Sequence, residues 1–441
     1  MFTRICLSLA LLLTTPVWSQ VVPTATGSAP AQSDETSMQT PPPVSGEPYP
    51  TMVGSEARSN YLRTGVSVNS AYDDNVLTGS SGHPVGDVTF SIFPTIALDQ
   101  STPRLHQTLS YSPGFTFYQH TSVLNEVDQN AVANFQYRLS PHANITVRDG
   151  LQKSSSAFNQ PGSAISGSSQ VPPATVITPF GDRLNNELTT DLSYQYGRNA
   201  MVGGGGSLTN LDYPNPSQVP GLYNSSSRGG GAFWSARLSS TQYLGATYQY
   251  SLSEANPAHA QSETRTNTIS LFYTLYLKHT FSMSFSGGPQ HSSFAQSSLQ
   301  SDSSWTPSVR TSIGWQRNHT NFAASYAHSV TGGGGLLGAF ESNSANALVR
   351  WRTARTWTMG ADATFINNKN VTPLLFSSSP GGRSISGSFT LQHSISEHLN
   401  AECGYQRLHQ SYAGIPVLSN APDTDRVYVN VSYQFTRPLG R

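Results

Sequence analysis

Val427-Tyr428-Val429-Asn430-Val431-Ser432-Tyr433-Gln434-Phe435-Thr436, close to the end of the chain, alternates without a break. Val427, Val429, Val431, Tyr433 and Phe435 share one parity, and Tyr428, Asn430, Ser432, Gln434 and Thr436 share the other. Successive side chains of a strand point to opposite faces, so this stretch separates an oily surface from a polar one. The same pattern recurs about eighteen times back to Tyr61. Val88, Phe90, Ile92, Ile96 and Leu98 oppose Thr89, Ser91, Thr95 and Asp99. Ile269, Leu271, Tyr273, Leu275 and Leu277 oppose Thr268, Ser270, Phe272, Thr274 and Tyr276, and Trp357, Met359, Ala361 and Phe365 oppose Thr358, Gly360, Asp362 and Thr364.

A soluble sandwich alternates too, but it does not join so many strands by short and long links in turn. Tight connections centre near Thr102-Pro103, Pro141-His142, Arg198-Asn199, Ser240-Thr241, Lys278-His279, Asn318-His319, Ala354-Arg355 and Glu397-His398. Between them run longer Gly/Ser/Pro/Asn-rich links, notably Ser154 to Asp182, Tyr213 to Arg228, Thr331 to Phe340, Asn370 to Arg383 and Ser411 to Asp425. The rhythm predicts an all-β fold. Its form is a transmembrane antiparallel up-and-down β-barrel of about eighteen strands, with short periplasmic turns and long external loops. Tyr194, Tyr196, Trp315, Trp351, Trp357, Tyr433 and Phe435 would then share the periplasmic rim as an aromatic girdle.

Composition agrees with a chain that touches both lipid and water. Hydrophobic residues make up 36%, charged residues only 11%, and the formal net charge is zero. Ser, Thr, Asn, Gln and Gly supply the polarity that charges supply in soluble proteins. With no basic stripe, nucleic acid is excluded as a partner. Residues 1–19 read as a signal peptide, with Arg4 before the apolar run Ile5 to Leu13, which is too short to span a bilayer as a helix. Residues 20–58, rich in Pro, Ser, Thr and Ala, read as a disordered periplasmic tail, and 59–441 as the barrel. Beyond the signal only Cys403 remains, on the apolar face with Leu399, Ala401 and Tyr405, so no intramolecular disulfide is expected.

Ala71-Tyr72-Asp73-Asp74-Asn75-Val76, following Gly65-Val66-Ser67-Val68-Asn69, resembles the opening of outer-membrane β-barrel porins that accompany bacterial exopolysaccharide systems. In those a Tyr-Asp-Asp-Asn type sequence leaves the first strand. The resemblance spans about Ser59 to Arg441 in length and strand rhythm, with this motif as its sharp part. It implies a conduit or structural barrel in the bacterial outer membrane, with no catalytic residues to carry over. The chain departs from the usual terminal aromatic of outer-membrane proteins, since Thr436 to Arg441 follow Phe435; Tyr433 and Phe435 would serve the barrel assembly machinery as an internal signal.

The strand parity also assigns a pore lining. Arg63, Arg138, Arg148, Arg237, Arg310, Arg350 and Arg352 take polar-face positions, with Asp99, Asp191, Asp362 and Glu402. Arg or Lys on a lipid-facing surface costs about 2 to 4 kcal/mol at mid-bilayer, which favours the inner placement. Such charges either sort solutes or brace the wall as ion pairs, and the Arg excess points to weak anion preference. Phe93, Tyr118, Phe233, Phe272 and Tyr276 on the same face either stack sugar rings or fill space. The long link from Ser154 to Asp182 is the candidate constriction. Asp73, Asp74 and Asn75 offer clustered oxygen ligands for a divalent cation, without the spacing of a calcium loop. The glycine runs Gly203 to Gly206 and Gly332 to Gly335 lack the Lys-Ser/Thr of a phosphate-binding loop, and there is no Gly-x-Ser-x-Gly elbow.

These features predict a porin-like channel that passes small solutes or saccharides, with no enzymatic activity and no cofactor. Its partners would be outer-membrane lipid, the transported solutes and the assembly machinery. A barrel lipase or protease and a non-transport surface β protein are the competing classes; the residues do not settle the solute, the direction of transport or the oligomeric state.

Overall fold

The computed structural model describes residues 60–77, 84–156, 158, 181–256, 262–277, 280–296, 299–317, 319–332, 335–371, 381–413 and 423–438. The signal peptide and tail predicted over 1–58 and most of the 154–182 link lie outside them.

Eighteen antiparallel strands form one sheet. They are β1 Tyr61–Asp73, β2 Asp87–Ser101, β3 Leu105–Tyr118, β4 Glu126–Ser140, β5 Ala143–Ser154, β6 Arg183–Gly197, β7 Ala200–Asp212, β8 Ser225–Ser239, β9 Gln242–Ala255, β10 Ser262–Leu277, β11 Phe281–Gln296, β12 Leu299–Arg317, β13 Thr320–Thr331, β14 Phe340–Arg352, β15 Trp357–Asn370, β16 Gly382–Ser394, β17 Leu399–Tyr412 and β18 Thr424–Pro438. Each pairs with its sequence neighbours, and β1 also pairs with β18 from Tyr61↔Pro438 to Asp73↔Arg426, so the sheet closes on itself. The predicted barrel is therefore what the chain forms.

All eight predicted tight turns are present at one end, spanning two to four residues. At the other end the links are longer, with one exception: β11 and β12 are separated only by 297–298, because those two strands are extended to 16 and 19 residues.

The parity of Val427 to Phe435 points outward, and those side chains are 42–55% exposed, while Arg426 and Tyr428 on the other parity are buried inside. On β10 the outward row runs Ile269 to Leu277 and then changes to Asn267, Arg265 and Glu263. Nine residues at about 3.3 Å each, tilted by about 40°, give an apolar band roughly 23 Å tall, close to the bilayer-facing belt of membrane barrels. Tyr194, Tyr196, Trp351, Tyr433 and Phe435 are exposed at its tight-turn edge, where Trp234 Nε1 donates to Tyr196 Oη at 2.9 Å. Cys403 is exposed on the same outer surface.

A second aromatic row, not read from the sequence, borders the other edge. Tyr248 and Tyr326 donate their hydroxyls to Asn267 and Asn343 of the next strand at 2.8 and 2.9 Å, and Tyr111 does the same to Gln129. Each ring lies against the apolar band and each hydroxyl reaches the first polar outward residue beyond it, as interfacial tyrosines do.

Inside, aromatic rings lie flat on glycines of adjacent strands. Phe233 covers Gly203 and Phe272 covers Gly245; a Cβ at Gly245 would stand 2.3 Å from Phe272 Cζ and 2.2 Å from the Trp234 carbonyl oxygen. The missing side chain is what lets the ring close that patch of wall. Gly245→Ala is expected to destabilise the barrel by about 1 to 3 kcal/mol through overpacking, read as a lower urea midpoint for the heat-modifiable folded band. A midpoint equal to the parent's would show that Phe272 does not rest there.

Candidate functional site

The interior wall is built by parity, and strand pairing extends one parity assignment around the whole barrel. All eleven charged residues singled out from the sequence fall on inward rows. Arg63 reaches Asp99 at 3.4 Å, a partly exposed pair of modest strength. Arg138 and Arg148 stand opposite Asn144 and Asn134, Asp191 opposite Thr146 and Gly205, and Arg237 opposite Tyr243. Arg310 lies between Ser286 and Ala327, and Arg350 and Arg352 follow one another on β14. Asp362 accepts from Ser388 Oγ, and Glu402 accepts from Tyr428 Oη at 2.7 Å. Apart from Arg63 with Asp99, these charges are spread along the wall.

Arg138, Arg148, Arg350 and Arg352 are exposed within the barrel. Arg63, Asp99, Arg138, Arg237, Arg350, Arg352 and Glu402 lie near the tight-turn end, and Arg148, Asp191, Arg310 and Asp362 lie deeper. The pore lining read from the sequence omitted a second set near the long-link end, at or near strand tips where alternation is hardest to follow; of these only Asp73 was named, as a cation ligand. Asp73, Asp87, Glu126, Asp128 and Glu187 all point inward there, with Arg183 and Arg426. With Asp302, which shares the inward parity of Arg310 on β12, the described inner wall holds nine Arg and ten acids, so it does not carry the Arg excess of the first set, from which anion preference was expected. The charge is instead divided by height: basic toward the tight turns, acidic toward the long links.

It is also divided around the circumference. The inward rows of β9, β10 and β11 bear no charge; they consist mainly of Ser and Thr, with Tyr243, Phe272 and Tyr276. Tyr243 and Tyr276 meet edge to face at 5.8 Å, and Phe272 is fully buried against the wall. These rings therefore fill the wall, the second of the two roles open to them.

The proposed cation ligands do not converge. Asp73 points inward to Arg426 at 3.5 Å, Asp74 Oδ1 accepts the Asp425 N–H at 2.7 Å, and Asn75 is completely buried. Among the described residues no group of three His, Cys, Asp or Glu is arranged to hold a metal.

Residues of the long links after β5, β7 and β13 pack inside the barrel mouth. Phe158, from the start of the link after β5, lies 5.3 Å from the Arg426 guanidinium and packs on Leu408. The link after β13 reaches much farther. Leu336 and Phe340 join Leu211, Tyr213, Val219, Leu222 and Tyr412 in one buried apolar cluster, which connects β7 to β14 and β17. Gly335 makes this path possible: its φ of +97° suits a residue without a side chain, and its carbonyl accepts the Tyr223 N–H at 2.9 Å. The 154–182 link, expected to narrow the interior, shows only its ends among the described residues, tied by Ser155 Oγ to Asp182 Oδ1 at 2.8 Å.

No protein-family model matches the chain, and no curated protein matches it. Solved structures resemble it in fold. Pseudomonas aeruginosa OccK2 (OpdF) has a TM-score of 0.44 at 10% identity over 86% of this chain and 98% of its own. The FrpB iron transporter of Neisseria meningitidis has 0.43 at 10% over 85% and 81%, and the ferric citrate transporter FecA 0.44 at 10% over 86% and 64%. At this distance the likeness carries no inference about what the present chain does.

Asp73 and Arg426 are both nearly excluded from solvent, so breaking the pair leaves a buried charge without compensation. Asp73→Asn is expected to cost about 3 kcal/mol in urea unfolding from lipid vesicles. Asp73→Asn combined with Arg426→Met should regain most of that loss, and equal costs for single and double variants would contradict the pairing.

Proposed function

We propose that the chain is a bacterial outer-membrane channel for the passive passage of small hydrophilic solutes or saccharides, without enzymatic activity. The observation that carries this reading is the inversion of polarity across one closed wall. Large apolar side chains are exposed around the outside in a band of bilayer height, while arginines, carboxylates and hydroxyls face the interior. Closure satisfies the backbone hydrogen bonds that hydrocarbon could not satisfy, and it removes every sheet edge along the paired wall. A soluble barrel would turn its oily face inward.

On this reading residues 1–19 direct export, 20–58 extend into the periplasm, the tight turns face the periplasm and the long links face outward. Outer-membrane lipid and the barrel assembly machinery are the partners during insertion. The eleven inward charges named from the sequence line the route. Exopolysaccharide export is the setting supported by the Tyr72-Asp73-Asp74-Asn75 motif, on resemblance alone.

Purified protein added to planar bilayers is expected to give discrete conductance steps, and a graded block by added oligosaccharide would identify a saccharide path. Recovery of the protein in the aqueous fraction without detergent would overturn the proposal. Because inward Arg and acid residues nearly balance, the parent should pass potassium and chloride with permeabilities within about two-fold of each other. Arg350→Gln with Arg352→Gln should move the reversal potential toward cation selectivity, since both side chains are hydrated at the basic end. An unchanged potential would place those residues outside the ion path.

A further inference from the structure

The structure contains a specific device for bringing the link after β13 into the barrel, and it begins with a proline. β12 and β13 pair from Arg317↔Thr320 up to Val309↔His328 and no farther, although β12 continues upward to Leu299 and β13 to Thr331. Continuing the register by two residues would place Val330 opposite Pro307. Pro307 has no N–H to offer the Val330 carbonyl, so the ladder loses a bond at that step. Beyond this point β13 departs from β12.

Gln290 on β11 supplies the hydrogen bonds in its place. Its Nε2 donates to the Val330 carbonyl oxygen at 2.9 Å, and its Oε1 accepts the Val330 N–H at 2.8 Å. The side-chain amide thus acts toward Val330 as a neighbouring peptide group would. Gln290 is an inward residue, opposite Thr268 and Thr306, and is 3% exposed. Val330 is therefore held on the inner side of the wall, where it packs with Phe294 and Ala339. From there the chain runs over the hydroxyl-lined wall: a Cβ on Gly332 would stand 2.3 Å from the Ser253 Cβ and 3.5 Å from the Thr264 Cβ. Thr264, Thr266 and Ser292 are correspondingly buried despite facing the interior.

We propose that Gln290 is the positioning residue of the channel's constriction. By binding the Val330 peptide it holds the end of β13 and Gly332 against the uncharged wall of β9 to β11, and so narrows the open route from that side of the barrel. This rests on the channel reading, but the clamp itself is measurable without any conductance.

Gln290→Met keeps the volume and removes both hydrogen bonds. In detergent-solubilised protein, hydrogen exchange at the Val330 amide is expected to accelerate roughly 5- to 150-fold, the factor that two buried hydrogen bonds supply. Exchange at Ala324 to Ala327, within the paired part of β13, should stay at the parent's rate. In planar bilayers the same variant should conduct at least about two-fold more than the parent, through release of the link. If Gln290→Met fails to fold, Gln290→Leu, which likewise has neither donor nor acceptor, should show the same direction in both readouts. Unchanged exchange at Val330 in a folded variant overturns the clamp. Faster exchange with unchanged conductance overturns the constriction. A parent that never conducts, with exchange still accelerated, removes the channel reading and leaves the clamp standing.

Discussion

The ring of backbone hydrogen bonds closed between β1 and β18 is the interaction on which everything else depends. A strand in hydrocarbon has no water to bind its N–H and C=O groups, so each must find a partner in the next strand, and the last strand must find the first. Once that ring exists, two faces with opposite solvents follow from the period of two, and a residue's parity decides whether it meets lipid or the interior. Low charge content, abundant Ser and Thr, and rows of exposed Val, Ile, Phe and Tyr are consequences of that single closure.

Deviations from the ring are correspondingly informative. The β10–β11 register skips Ile269 and Ser270, across from Gly288 and Pro289, and the β2–β3 register skips the stretch containing Pro94 and Pro113. Each break coincides with a proline that cannot donate. Where Pro307 ends the β12–β13 ladder, the Val330 peptide, still in register with β14 but no longer with β12, is bound by a glutamine side chain. A backbone vacancy is in this way converted into a feature of the interior.

The inner wall is uneven in two directions. Hydroxyls and wall-filling rings occupy the inward rows of β9 to β11, and the inward charges lie on other strands, basic toward the tight turns and acidic toward the long links. Neutral hydroxyls tolerate being covered by a folded-in link because backbone and hydroxyl groups can bind one another, whereas covering arginines would strand buried charge. The end of β13 accordingly lies on uncharged wall, whereas at Arg426 the cover is the Phe158 ring, set against a guanidinium that has Asp73 beside it.

The sequence by itself determined the barrel, its strand number, its tight turns, the outer apolar faces and the inward parity of Arg63, Arg138, Arg350 and their companions, because period-two alternation is a local property that each segment states for itself. Only the tertiary structure decided the rest: the Asp73–Arg426 pair, the acidic group near the long links, the apolar cluster joining Leu211 to Tyr412, and Gln290 on Val330. Those contacts join residues that are distant in the sequence. No local pattern records which of them meet, because their meeting depends on the curvature of the closed wall and the path of the links across its mouth.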